Sequence, residues 1–278
     1  MFAGRKLVIA TKHKKEAVIA PIIEQSLGVK CFVPKNFDTD LLGTFSGEVE
    51  RKQNPLETAK QKCLQAMKYS NCDLGIASEG SFGPHPSLFF TNADDEFLIF
   101  IDKKNNLEIV VREVNLETNF NAITVSNENE MLDFAKKVGF PSHALILRKS
   151  EKETTHLVKG IKDEKKLKNE FQKLLEKFGS VYVETDMRAM NNPTRMKVIQ
   201  KASEKLKDKI ASCCPKCNTP GFGITEAKKG LPCSLCGTPT NTTLSFIYKC
   251  IKCSFQKEDL YPNNKETEDP MYCNYCNP

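Results

Sequence analysis

At 278 residues the chain is long for one average domain and short for three, so one main domain plus a smaller module is expected. Its 40% hydrophobic and 27% charged residues exclude a disordered or fibrous protein. No run approaches the roughly 18 apolar residues of a membrane span, and LVIA at 7–10 is too short for a signal-peptide core, so a soluble, cytoplasmic protein without a membrane partner is expected.

Residues 1–208 alternate strands and helices. KLVIAT (6–11) is a short apolar run, and KKEAVIAPIIEQSLG (14–28) follows with helical spacing, Pro21 inside it and Gly28 as its stop. CFVP (31–34) is the next strand. PLETAKQKCLQAMKYS (55–70) reads as a helix with Pro55 in its first turn. DLGIASEG is a buried strand that turns polar at Glu79, after which Gly80, Ser81, Gly83, Pro84 and Pro86 predict irregular chain. EFLIFID (96–102) and LEIVVREV (107–114) form a hairpin. A helix over 127–139, a strand over 142–149, an amphipathic helix over 162–179, a strand over 180–185 and a last helix over 193–210 follow. The amphipathic helix places Leu167, Phe171, Leu174, Leu175 and Phe178 on one face. The predicted class is α/β, a mixed central sheet flanked by helices.

From Ala211 onward Cys, Pro, Gly, Asn and Thr dominate, and a metal-stabilised module over 211–278 is expected. Four CxxC pairs lie there: Cys214 and Cys217, Cys233 and Cys236, Cys250 and Cys253, Cys273 and Cys276. Two such turns complete a tetrahedral shell of four thiolates. Eight ligands therefore predict two structural zinc ions in a double zinc ribbon. The simplest pairing is sequential, the first two knuckles on one ion and the last two on the other, with cross-braced or nested pairings also compatible with the spacing. An iron–sulfur cluster is the lesser metal alternative. Cys31, Cys63, Cys72 and Cys213 remain as free thiols. With eight thiolates on two Zn²⁺ the formal charge of +6 falls to about +2, so global charge says little about partners. Lys216, Lys228, Lys229, Lys249 and Lys252 are available to phosphates, and Phe222, Phe246, Tyr248, Phe255 and Tyr275 either stack on bases or form the module's own core.

In the α/β half, ligands are expected at the carboxyl ends of strands, where Glu79 is predicted to sit. ATKHKKE (10–16) sets Thr11, Lys12, Lys14 and Lys15 at a helix N-terminus, a place suited to phosphate. NPLETAKQK (54–62) offers Glu57 and Lys62 on the helix leading into the Glu79 strand. VETDMRAMNNPTRMK (183–197) is dense in charge, with Asp186, Arg188 and Arg195 either in a salt-bridge network or at a site. His85, between two prolines, is an accessory acid or base or a structural residue.

KLVIATKHKKEAV, ETAKQKCLQA and LGIASEGSFG, in this order, resemble three blocks of the inosine triphosphate and inosine/xanthosine triphosphate pyrophosphatases. NPTRMKVIQKASEKL is weakly similar to the basic motif that opens their final helix. The resemblance implies a phosphate cradle at Thr11, Lys12, Lys14 and Lys15, Mg²⁺ at Glu57 and Glu79, a triphosphate contact at Lys62 and a base or phosphate contact at Arg195. GSFGPHP and the ETDMRA segment depart from that pattern, and those enzymes typically lack the zinc module. The whole chain also resembles a bacterial family of uncharacterised function with the ending GLPCxxCGxPT to DPxYCxxCNP. The expected activity is Mg²⁺-dependent hydrolysis of a nucleoside triphosphate to the monophosphate and pyrophosphate. The rival is a nucleic-acid- or protein-binding zinc ribbon on an inactive scaffold.

Overall fold

The computed structural model describes residues 1–37, 54–88 and 90–278. The chain divides into two compact units, Met1–Lys207 and Asp208–Pro278. Among the described residues no helix is long and apolar enough to cross a membrane.

The first unit opens with β1 (Lys6–Ala10), α1 (Glu16–Leu27) and β2 (Lys30–Phe32). β1 buries four consecutive residues, as a strand covered on both faces must. α1 buries Ile19 and Ile23, one turn apart, and ends at Gly28, whose φ of 65° lets its N–H reach the Glu24 carbonyl. In α2 (Pro55–Tyr69) the Asn54 side chain accepts the Glu57 N–H, and Pro55 occupies a first-turn position that needs no donor. Three long strands follow: β3 (Leu74–Pro84), β4 (Asn92–Asp102) and β5 (Leu107–Asn115). They build a five-stranded sheet of order β2-β1-β3-β4-β5, in which β1 is parallel to β2 and β3 while β3, β4 and β5 are antiparallel.

The irregular chain expected after Glu79 is instead strand. β4 starts at Asn92, earlier than the expected 96, and its backbone pairs with β3 from Leu74↔Asp102 through Glu79↔Phe97 to Pro84↔Asn92. Ladder bonds outweigh the weak strand preference of Gly80 and Gly83, and Pro84 stands at the strand end, where a missing N–H is tolerated. Glu79 therefore lies within a strand.

The single sheet expected is also two. β6 (Ala122–Val125), β7 (Leu145–Arg148), β8 (Leu157–Ile161) and β9 (Val181–Thr185) form an antiparallel sheet of order β6-β9-β7-β8. α3 (Glu128–Lys137) and α4 (Glu164–Phe178) cover it, packing Met131, Phe134, Leu167 and Phe171 on Val125, Leu147, Val181 and Val183. After β9 a 3-10 turn at Ala189–Asn191 leads to α5 (Pro193–Ala211).

On the first sheet, Ala59, Cys63, Ala66 and Met67 of α2 pack against Val8, Ala10, Ala77 and Ile99. Side chains alternate along a strand and cross-strand partners share a face. Glu79, two residues beyond Ala77, thus faces α2. Ser78, Gly80 and Phe82, with their partners Leu98, Glu96 and Asp94, face the other side.

The second unit is an antiparallel meander of β10 (Gly223–Lys229), β11 (Thr243–Lys249) and β12 (Gln256–Leu260). One apolar grouping in it sets Phe222, Tyr248 and Phe255 against Cys214, Cys250 and Cys253.

Candidate functional site

Immediately beyond the carboxyl end of β1, Thr11 to Lys15 turn the chain into α1. Lys14 takes a left-handed φ of 58°, and the Thr11 hydroxyl accepts the His13 N–H at 3.3 Å. Thr11, Lys12, Lys14 and Glu16, the first residue of α1, line a cleft of about 460 Å³ with Val33, Pro34, Asn36 and Phe37 from the chain after β2. Lys15 does not join them. It is buried, and its Nζ donates to Ser78 Oγ at 2.9 Å.

On the α2 side of β3, Lys62 Nζ donates to Glu79 Oε2 at 2.6 Å, with both side chains buried. A buried carboxylate requires such a partner, since desolvation otherwise drives it to the neutral acid. Glu57 differs: it is exposed in the first turn of α2, with Lys60 as an ionic neighbour.

The opposite side of the same strands carries a second polar cluster. Glu96 is 0% exposed and Arg195 1%. Arg195 Nε donates to Glu96 Oε1 at 2.6 Å and Nη1 to the Met187 carbonyl at 2.5 Å, while its guanidinium stacks over Phe82 at 5.1 Å. Lys15 Nζ lies 3.8 Å from Glu96 Oε2. Asp94 is buried beside them, and among the described residues its Oδ1 has no hydrogen-bond partner. Burial, then the nearby Glu96 charge, pushes the Asp94 carboxyl up to about 8. Burial likewise draws the Lys15 ammonium down to about 8, against the pull of Glu96. Gly80 makes room here, because a Cβ would collide with Glu96 Oε1 and lie 2.7 Å from Arg195 Nη2, forcing both side chains to shift.

Arg195 was thus legible as a charged residue of interest, but Ser78, Asp94 and Glu96 were not. Their signal was two carboxylates two residues apart on a strand face that continues into apolar Leu98 and Phe100. It becomes visible only if the strand is read from Asn92.

The other singled-out residues brace the fold. Arg188 Nε and Nη2 donate to Asp186 at 2.9 and 2.5 Å, and Asn191 adds a bond to Asp186 at 2.8 Å, fixing the turn after β9. His85 Nδ1 accepts the N–H groups of Ser87 and Leu88, both at 3.1 Å, and so organises the β3–β4 connection.

In the second unit the eight cysteines form two groups: Cys214, Cys217, Cys250 and Cys253, and Cys233, Cys236, Cys273 and Cys276. Sulfurs about 2.3 Å from a central Zn²⁺ stand about 3.8 Å apart in a tetrahedron. Cys214–Cys253, Cys217–Cys250, Cys233–Cys276 and Cys236–Cys273 are separated by 3.7, 3.6, 3.9 and 3.7 Å. The donor set and its spacing fit two structural zinc ions. The Thr219 hydroxyl beside Cys217 and the Thr238 hydroxyl beside Cys236 each draw the thiol down to about 6, toward the thiolate that binds metal. The sequential pairing is overturned: the first knuckle joins the third, and the second joins the fourth. One strand separates consecutive knuckles, so the chain changes ends of the meander at every step. Gly223↔Lys249 sets the first knuckle beside the third, and the Cys233↔Glu268 bridge sets the second beside the fourth.

Of the aromatics considered for base stacking, Phe222, Tyr248 and Phe255 pack on one another, with centroids 5.8 and 5.9 Å apart from Phe222. They are the core of the first zinc end. Tyr275 is 76% exposed.

A family model described as a domain of unknown function (DUF6671) matches residues 62–278, a span that includes Lys62, Glu79, Asp94, Glu96, Arg195 and all eight zinc-site cysteines. None of the curated proteins matches the chain.

Proposed function

The chain belongs to the DUF6671 family, and from the chemistry of its first unit we propose a cytoplasmic, Mg²⁺-dependent hydrolase that cleaves a nucleoside triphosphate to the monophosphate and pyrophosphate. The observation that carries the reading is the cleft of Thr11, Lys12 and Lys14 beyond β1, beside the parallel strand that holds the buried Lys62–Glu79 pair. Polyphosphate binding at a helix N-terminus with ammonium groups is favourable on charge and hydrogen bonding alike. Lys12 and Lys14 neutralise the polyphosphate, and Lys62 holds the Glu79 carboxylate at 2.6 Å inside the fold.

Carboxylate and phosphate oxygens are the ligands Mg²⁺ takes, and Glu79 has one carboxylate oxygen, Oε1, beside the one bonded to Lys62. Glu79 would hold it, with Glu57 as the second carboxylate that the resemblance to the inosine triphosphate pyrophosphatases implies. An ion held there would supply charge neutralisation at the phosphoryl group and a fixed place for the attacking water. Arg195 is left out of ligand contact, since reaching a nucleotide would require it to abandon Glu96.

The nucleic-acid reading of the second unit gains nothing from its charge. Residues 208–278 hold eight lysines and seven acidic side chains, and two tetrathiolate zinc sites at −2 each bring the unit to about −3.

The test is pyrophosphate release from standard and deaminated nucleoside triphosphates with Mg²⁺. Wild type should release it, and Glu79→Gln should lower kcat/KM at least about a hundredfold, as loss of one site electrostatic group does elsewhere. An equal rate in the mutant removes Glu79 from the chemistry.

A further inference from the structure

We infer that Glu96 is a positioning residue for the anion-binding turn: from β4 it fixes Lys15, and through Lys15 the Thr11–Lys14 cleft, while Arg195 ties the start of α5 to the same point. The inference rests on the polyphosphate reading of that cleft for its functional consequence but not for its geometry.

Four observations support it. The reversed backbone at Lys14 sends the chain inward, so that Lys12 and Lys14 line the cleft while Lys15, the next residue, is buried against Ser78 and Glu96. Two of the buried cations nearest Glu96, Lys15 and Arg195, come from helix starts, α1 and α5, that are far apart in sequence. A carboxylate between them attracts both cations and penalises any movement that separates them from it. Gly80 supplies the space: a Cβ there would lie 2.3 Å from Glu96 Oε1 and 2.7 Å from Arg195 Nη2, so both side chains would have to shift. Lastly, Glu96 is wholly buried, so its function must pass through the residues it holds.

This positioning has two readouts in the full chain. Without ligand, trypsin should cut after the exposed Lys12 and Lys14 faster in Glu96→Gln than in wild type, because the turn loses its anchor. With inorganic tripolyphosphate and Mg²⁺ followed by calorimetry, Kd should weaken by about tenfold as the buried Lys15–Glu96 ion pair is lost. In turnover the loss should fall on KM and leave kcat within about threefold, since a merely destabilised but folded enzyme keeps its KM. Ser78→Ala, which removes only the nearer Lys15 partner, should move both readouts the same way by a smaller factor, and it serves if Glu96→Gln does not fold.

Folded Glu96→Gln and Ser78→Ala proteins with wild-type nicking and wild-type tripolyphosphate affinity overturn the inference and leave the hydrolase reading standing. Accelerated nicking in a protein whose wild type binds no tripolyphosphate overturns the hydrolase reading and upholds Glu96 as the anchor of the turn.

Discussion

The two units keep charge out of water by opposite means. In the first, carboxylates and cations face one another inside a large apolar core: Lys62 with Glu79 on one side of β3, Lys15 and Arg195 with Glu96 on the other. In the second, little apolar core exists, and thiolates are gathered in fours for a metal. Ion pairs inside a core add little net stability but leave a large penalty when one partner is removed. A metal site in a module this small is itself the folding free energy. The first unit thus rests on its core and sets its charges within it, whereas the second has its eight cysteine sulfurs placed to draw stability from two ions.

Chelation should break this contrast most visibly. Stripping zinc removes about 10 kcal/mol or more of coupled folding energy from the second unit. Amide hydrogen exchange should then become fast throughout 208–278 while the strands of the first unit stay protected. Because β11 carries Cys250 at one end and its hairpin partner leads to Cys233 at the other, Cys250→Ser should lower bound zinc from two to below one per chain. One fully occupied zinc in that variant would show the sites to be independent.

A smaller effect sharpens the other side. Lys62→Met takes the 2.6 Å ammonium partner away from the buried Glu79 carboxylate, at a cost of about 3–5 kcal/mol in urea unfolding of the first unit. Adding Glu79→Leu should recover most of it. Equal losses in the single and double variants would mean that packing, not charge, decides there.

The smallest effect is a pH dependence. Folded Asp94 holds its proton to about 8, against 3.8 for the free side chain, so the folded state binds more protons in that window and stability falls as pH rises through it. Lys15 has the opposite sign above 8, where the folded ammonium releases its proton before the unfolded one. Between pH 6.5 and 8 the first unit should lose about 1 kcal/mol, and Asp94→Asn should flatten that slope. A slope unchanged by Asp94→Asn would place the proton elsewhere.

What was legible in the sequence follows the range of the interactions. Zinc ligands are local, two residues apart, and all eight could be read. Their pairing depends on a non-local fact, one strand in each interval of 15, 13 and 19 residues, and counting strands rather than gaps would have given it. The Lys62–Glu79 pair joins a helix to the next strand, 17 residues on, and both members were singled out. Glu96 and Arg195 lie 99 residues apart and are joined by a sheet face whose extent depended on reading GSFGP as strand. Gly and Pro argue against a strand locally, and only β4, by offering its backbone, reverses that preference.

The interleaved zinc ligands also order events in time. As the chain emerges from synthesis, the first set of four thiolates is complete at Cys253, before either cysteine of the last knuckle exists. The second set has by then shown only Cys233 and Cys236, half a site that holds metal poorly. One ion can therefore load and fasten β10 to β11 early, while the other must wait for Cys276 and closes the unit as a clasp.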